Sequence, residues 1–118
     1  MNVNVDRSSV AMGDDVYPHA ETIDLPESST IAEAVAYLRQ RRFLATIASG
    51  RATWLLEVNG RPAAVIAQQW AEPKFVTDPS DTLGSFGSEV SLMFRYRAQI
   101  DPDDLYDTLE EEDTPPAR

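Results

Sequence analysis

The stretch that decides the fold is ATWLLEVNGRPAAVIAQQW, residues 52–70, in which two apolar runs flank Asn59 and Gly60. Asparagine and glycine both tolerate positive φ, which the two central positions of a type I′ hairpin turn require. The stretch therefore predicts a tight antiparallel hairpin of residues 52–58 and 61–70. A two-residue turn also sets the strand pairing: Val58 with Arg61, Glu57 with Pro62, Leu56 with Ala63 and Trp54 with Val65.

Both faces of this hairpin are apolar. The pairing predicts a first face of Trp54, Leu56, Val58, Ala63, Val65 and Ala67, and a second face of Leu55, Ala64, Ile66, Gln68 and Trp70. A sheet that is wet on one side alternates more cleanly, so something must cover the second face. We interpret its members as candidate partner-binding residues: Leu55, Ile66, Gln68 and Trp70. The alternative is that a C-terminal helix covers this face through Leu105 and Leu109.

A helix is predicted from Ile31 to about Gln40. Thr30 and Glu33 have the spacing of a capping box, in which each side chain accepts a hydrogen bond from the other residue's main-chain amide. An apolar stripe follows at helical spacing: Ile31, Ala34, Val35 and Leu38. Three arginines at the C-terminal end suit the helix dipole, and a basic anion-binding patch is the alternative for them: Arg39, Arg41 and Arg42.

The remaining segments complete an α+β fold. Tyr17–Leu25 predicts a first strand, Lys74–Thr77 a short strand inside the loop 71–89, and the alternation of Val90–Ile100 a half-buried strand. Asp101 and Pro102 predict the start of a short C-terminal helix. We expect an antiparallel sheet of about four to five strands with one main packed helix. The expected organisation is a flexible lead-in (1–15), a single domain (16–109) and an acidic disordered tail (110–118).

The order of strand, capped helix, strand and hairpin resembles that of ubiquitin-like β-grasp domains. The resemblance concerns element order alone, and the di-glycine tail of the conjugating members has no counterpart in Pro115-Pro116-Ala117-Arg118. It implies a fold and no particular activity.

Negative charge is concentrated at the C-terminal end of the chain. The net charge is −10; residues 1–100 carry twelve acids and nine bases, whereas residues 101–118 carry eight acids and one arginine. Such a surface opposes nucleic-acid binding, which needs basic side chains, and favours a basic protein partner. The alternative is a solvated segment that aids solubility.

Catalytic and metal-binding signatures are missing from the sequence. There is no cysteine and one histidine, His19, so the usual zinc ligand sets cannot form and no cofactor is expected. Asp101 and Asp103 match the first and third positions of an EF-hand loop, but Leu105 and Tyr106 occupy positions that need an oxygen ligand and a glycine. Neither a leader nor an apolar run of about 18 residues is present, which predicts a cytoplasmic protein without membrane contact.

These observations favour a small acidic non-catalytic interaction protein, such as an immunity or antitoxin-type inhibitor of a basic partner. A small dimeric chaperone or assembly subunit is an alternative, because small size, acidity and an apolar face serve that role equally well. An enzyme using His19 and nearby carboxylates is the third alternative, although no arrangement of these residues identifies a reaction.

Overall fold

The computed structural model describes residues 1–8, 19–44, 50–97 and 100–113. Within these residues the chain forms six strands and two α-helices. In chain order they are β1 (Asn2–Arg7), β2 (Glu21–Asp24), α1 (Ile31–Gln40), β3 (Thr53–Val58), β4 (Arg61–Ala67), β5 (Lys74–Phe75), β6 (Val90–Tyr96) and α2 (Pro102–Asp113). A 3₁₀ helix, Leu83–Phe86, lies in the loop between β5 and β6.

All six strands belong to one mixed sheet in the order β2-β1-β6-β3-β4-β5. The second and third strands of this order, β1 and β6, are parallel, with Val3 opposite Val90, and the other pairs are antiparallel. The α+β class is thus confirmed, whereas the purely antiparallel sheet of four to five strands is wrong.

The strand β1 is the main correction to the predicted organisation. Residues 2–7 were expected in a flexible lead-in over residues 1–15, yet Val3 and Val5 are 0% and 1% exposed in the middle of the sheet. The sequence Asn-Val-Asn-Val does alternate, but its parallel partner lies more than 80 residues away and leaves no local signal. The predicted strand Tyr17–Leu25 corresponds to β2, and its residues 17 and 18 lie outside the described part of the chain.

The hairpin forms through Asn59 and Gly60, whose φ values are 50° and 84°. The pairs nearest the turn are as predicted: Val58 with Arg61 and Glu57 with Pro62. Beyond them the register shifts at a bulge, and the observed pairs are Leu56 with Ala64, Leu55 with Val65 and Trp54 with Ile66. Ala63 is the extra residue, directly after Pro62, and a bulge is one of the few places where a sheet accommodates proline.

The bulge exchanges the faces of β4. Because a one-residue shift turns every later side chain over, Ile66 joins Trp54 on the first face, and Val65 joins Leu55 on the second. The alternation of β4 could not reveal the shift, since Ala63–Ala67 is buried on both faces.

The helix α1 covers the first face of the sheet. Its N-terminus has the predicted capping box: Glu33 N–H donates to Thr30 Oγ1 at 3.1 Å, and Thr30 N–H donates to Glu33 Oε1 at 3.0 Å. The predicted stripe is buried, and it joins Trp54 and Leu56 in the main core. Val65, which was predicted on the first face, lies on the opposite side because of the bulge.

The helix α2 covers part of the second face. Its predicted start is confirmed, but residues 110–113 were expected in a disordered tail and are helical instead. Residues 114–118 lie outside the described part of the chain. Neither helix of the described residues has the length and apolar character that crossing a membrane requires.

Candidate interaction surface

The position of α2 is set at its first turn. The carboxylate of Asp101 accepts hydrogen bonds from the main-chain amides of Asp103 and Asp104, at 2.9 and 3.3 Å. It is therefore an N-cap that satisfies two donors for which the helix has no internal partner. Pro102 fits the first helical position, because its missing amide proton would have had no acceptor there. These residues give α2 a defined beginning.

Three side chains attach α2 to the sheet. Leu109, 5% exposed, packs with Leu55 and Val65. Leu105 and Tyr106 lie half-buried beside them, together with Trp70 and Val76. The spacing of 105, 106 and 109 places these residues on one side of a helix. This side faces the sheet and leaves the other side of α2 in solvent.

Lys74 makes polar contacts at the edge of this apolar cluster. Its Nζ lies 2.7 Å from Asp103 Oδ1, 4.7 Å from the centre of the Trp70 ring and 5.7 Å from that of Tyr106. An ammonium group near aromatic faces is stabilised by the ring quadrupoles. Because Lys74 belongs to β5 and Asp103 to the first turn of α2, this contact ties the helix to the sheet edge.

Tyr106 adds a second polar contact within the helix. Its hydroxyl donates to Glu110 Oε1 at 2.7 Å and lies 3.4 Å from the carbonyl oxygen of Phe75. The hydrogen bond to the Glu110 carboxylate raises the pKa of the Tyr106 phenol above its usual value, since losing the proton would leave two negative groups in contact. The phenol therefore stays protonated well beyond neutral pH.

The solvent side of α2 carries carboxylates. Residues 101–113 contain eight acids and no lysine or arginine. Among those with described side chains, five are exposed: Asp101, Asp103, Asp104, Asp107 and Glu110. We call this set the acidic face of α2. It is an ordered surface on a helix that is packed against the sheet, rather than a tail.

The four predicted partner-binding residues do not form one surface. Ile66, 1% exposed, lies in the main core under α1, on the side opposite to Leu55. Leu55, 3% exposed, is covered by α2, which is the alternative raised for this face. Gln68 Oε1 accepts from the Ala52 amide at 3.3 Å and closes the open end of the hairpin. Trp70 is half-buried beside Lys74. A role in partner binding stays a prediction, which the burial of Leu55 and Ile66 disfavours.

Two of the three arginines at the C-terminal end of α1 have intramolecular partners. Arg39 donates to the carbonyl oxygens of Ala67, Trp70 and Ala71, at 3.3, 2.9 and 3.3 Å. Arg41 forms an ion pair with Glu21, which raises the pKa of its guanidinium, and it lies over the Tyr37 ring. These contacts favour structural roles over an anion-binding patch. The sequence did not indicate that Arg39 forms hydrogen bonds to the turn after β4 and so helps to hold this turn against α1.

The described residues contain no group of three or more His, Asp or Glu side chains that could hold a metal ion. His19 lies half-buried just before β2. Catalysis by His19 with nearby carboxylates thus stays an untested alternative, without an arrangement that identifies a reaction.

Comparison with protein-family models, with curated proteins and with solved structures finds no match to this chain. Its function must therefore be argued from its own surfaces.

Sequence reasoning missed the residues that build the acidic face into the fold. Lys74, Asp103 and Tyr106 gave no signal as a group, because a lysine on a two-residue strand and acids at a helix start each have ordinary explanations. The signal that was available is the spacing of Leu105, Tyr106 and Leu109, which indicates one buried side and hence one solvent side.

Proposed function

We propose that this chain is a small acidic, non-catalytic interaction protein that binds a basic protein partner through the acidic face of α2. The proposal rests on one observation: the exposed carboxylates of residues 101–110 are displayed by a helix packed against the sheet. A rigid cluster of like charge steers a basic partner and loses less conformational entropy on binding than a flexible tail does. An inhibitor of the immunity or antitoxin type fits this description.

Charge neutralisation on α2 tests the proposal. Asp104→Asn with Asp107→Asn removes two exposed carboxylates and leaves the Lys74–Asp103 and Tyr106–Glu110 contacts intact. The matched control is Glu27→Gln with Glu89→Gln, which removes the same charge from exposed positions outside α2. Each immobilised protein is exposed to an extract of the native host at low salt and again at about 0.5 M salt, where charge is screened within a few ångström.

We expect the wild type and the control to retain a basic protein at low salt and to release it at high salt. The α2 variant should bind this protein roughly three- to tenfold more weakly, since each exposed charge contribution is small. Loss of a toxin's or nuclease's activity on binding would support the inhibitor role. If both variants bind equally well, or if binding is insensitive to salt, the acidic face is not the binding surface.

A small dimeric chaperone or assembly subunit is the second candidate. It is favoured by the second face of β1, β2 and β6, where polar side chains are exposed beside the edge strand β2: Asn4, Thr22 and Ser91. An exposed edge can pair with another chain. Light scattering on the purified protein distinguishes the two: a stable dimer supports this candidate, and a monomer supports the inhibitor.

A further inference from the structure

One anchor for the segment 71–79 lies at the C-terminal end of α1. The Arg39 guanidinium donates to three main-chain carbonyl oxygens, of which Ala71 is the first residue of this segment. Three hydrogen bonds from one planar group fix both position and direction, because the donors of arginine have a rigid geometry. The start of the segment is thereby held against α1.

A second anchor lies at the N-terminal end of α1. The amides of Ile31 and Ala32 donate to the carbonyl oxygens of Asp81 and Pro79, at 3.0 and 3.2 Å. The first amides of a helix lack internal acceptors, so the loop supplies them. Asp78 shapes this loop by accepting from the Ser80 hydroxyl and amide, at 2.6 and 2.9 Å, and these hydrogen bonds lower the pKa of the Asp78 carboxyl.

Between the two anchors the segment leaves a groove of about 570 Å³ against α1. This volume lies within the range of sites that bury ligand groups. The apolar part of its lining is Ala32, Val35, Ala36, Pro73, Phe75 and Pro79. The wall contributed by α1 is lined by two alanines, whose small side chains leave the space open. Because both ends of the segment are hydrogen-bonded, the groove is formed before anything binds.

The charges at the groove select the occupant. Glu33 and Glu72 line it with exposed carboxylates. Arg39 also lines it, but its guanidinium is directed to the three carbonyl oxygens described above. A cation beside the apolar part of a ligand would therefore meet two acids. A second copy of the chain is a poor occupant of this groove, since a partner of net negative charge would face Glu33 and Glu72.

We propose that this groove binds an apolar side chain of a basic peptide segment, in which a leucine or a residue of similar size is flanked by lysine or arginine. The apolar side chain lies over Val35 between the alanines and Phe75, and the flanking cations lie near Glu33 and Glu72. The groove is on the α1 side of the sheet, so this contact is separate from the acidic face of α2. Binding in the groove therefore does not depend on what the acidic face of α2 binds.

Amide NMR spectra of the full chain test the proposal with three blocked peptides. The probe is Gly-Lys-Leu-Lys-Gly, and the analogues are Gly-Lys-Gly-Lys-Gly and Gly-Glu-Leu-Glu-Gly. We expect saturable shifts at Ala32, Ala36 and Phe75 with the probe. Binding of the glycine analogue should be roughly tenfold weaker, because it lacks the leucine side chain. The glutamate analogue should also bind more weakly, since its charges oppose those of the rim.

Ala36→Arg, at an exposed position, is the decisive variant because it fills the groove and places a positive charge in it. The matched control is Gln40→Arg, which adds the same charge to α1 one turn away, outside the lining. We expect roughly tenfold weaker binding in the first variant and no more than a twofold change in the second. The proposal is overturned by shifts confined to α2, by equal binding of either analogue, by full binding to the Ala36→Arg variant, or by no saturable shift at all.

Discussion

Replacing Leu109 by alanine measures how firmly α2 is held on the sheet. Leu109 is 5% exposed and packs with Leu55 and Val65. The substitution removes about three methylene-sized groups, each worth about 0.8 kcal/mol when buried. Because α2 lies at the surface, it can settle toward the sheet and leave little cavity. We therefore expect the free energy that holds α2 on the sheet to fall by about 2–3 kcal/mol, near the lower end of the range for buried leucines.

This loss should appear as local opening of α2. The helix has little stability of its own, since the acids of its last turn lie at the negative end of the helix dipole. Hydrogen exchange by mass spectrometry or NMR is the appropriate assay because it follows each element separately. A loss of about 2–3 kcal/mol corresponds to exchange that is roughly 30- to 150-fold faster in α2. The amides of α1 should change much less.

Thr108→Ala is the matched control. Thr108 is exposed on the same helix, and its substitution should alter the free energy of opening by no more than about 0.5 kcal/mol. Unchanged exchange of α2 in the Leu109→Ala protein would refute the role of the apolar cluster. An equal acceleration in α1 and α2 would instead show that α2 opens only when the whole domain unfolds.

Two further predictions concern the N-terminal cap of α1 and the contact that Tyr106 makes in α2. Thr30→Ala removes one half of the capping box and should lower the free energy of unfolding by about 1 kcal/mol in urea titrations; Ser28→Ala, at an exposed position before the cap, should have little effect. The raised pKa of Tyr106 contributes stability that is present below about pH 10 and is lost as the pH rises through the folded-state pKa. The melting temperature of the wild type should therefore exceed that of Tyr106→Phe at pH 7, and a margin that does not shrink as the pH rises beyond about 10 would contradict this.

Local signals in the sequence determined the elements that were predicted correctly. The capping box of Thr30 and Glu33, the Asn59-Gly60 turn and the alternation of β6 each involve residues a few positions apart. They specify where an element begins, turns or faces the core. Sequence reasoning therefore placed α1 at its observed bounds and the hairpin at its observed turn.

Features that depend on distant partners could not be predicted in this way. The parallel pairing of β1 with β6 joins the two ends of the domain, and the register shift at Ala63 lies in a run that is apolar on both faces. This shift divides the predicted second face, since it sends Ile66 to the main core and brings Val65 beside Leu55. The candidate surface moved to α2 because that helix covers Leu55, and because Ile66 lies in the main core on the other side of the sheet.

One member of the acidic face, Asp107, lies beyond the first turn of α2 and has a like-charged neighbour, whereas Asp101 caps the helix and Asp103 and Asp104 lie at its positive end. Asp103 and Asp107 are four residues apart, and such a like-charge pair destabilises a helix by about 0.2–0.5 kcal/mol. Within residues 101–113 no base offsets this repulsion, and Lys74 of β5 pairs with Asp103, in the first turn. The capping carboxylate and the packing of Leu109 are enough to explain why the helix forms and where it lies. The contacts described above do not account for Asp107, and the proposed binding of a basic partner is a direct physical explanation for its exposed charge.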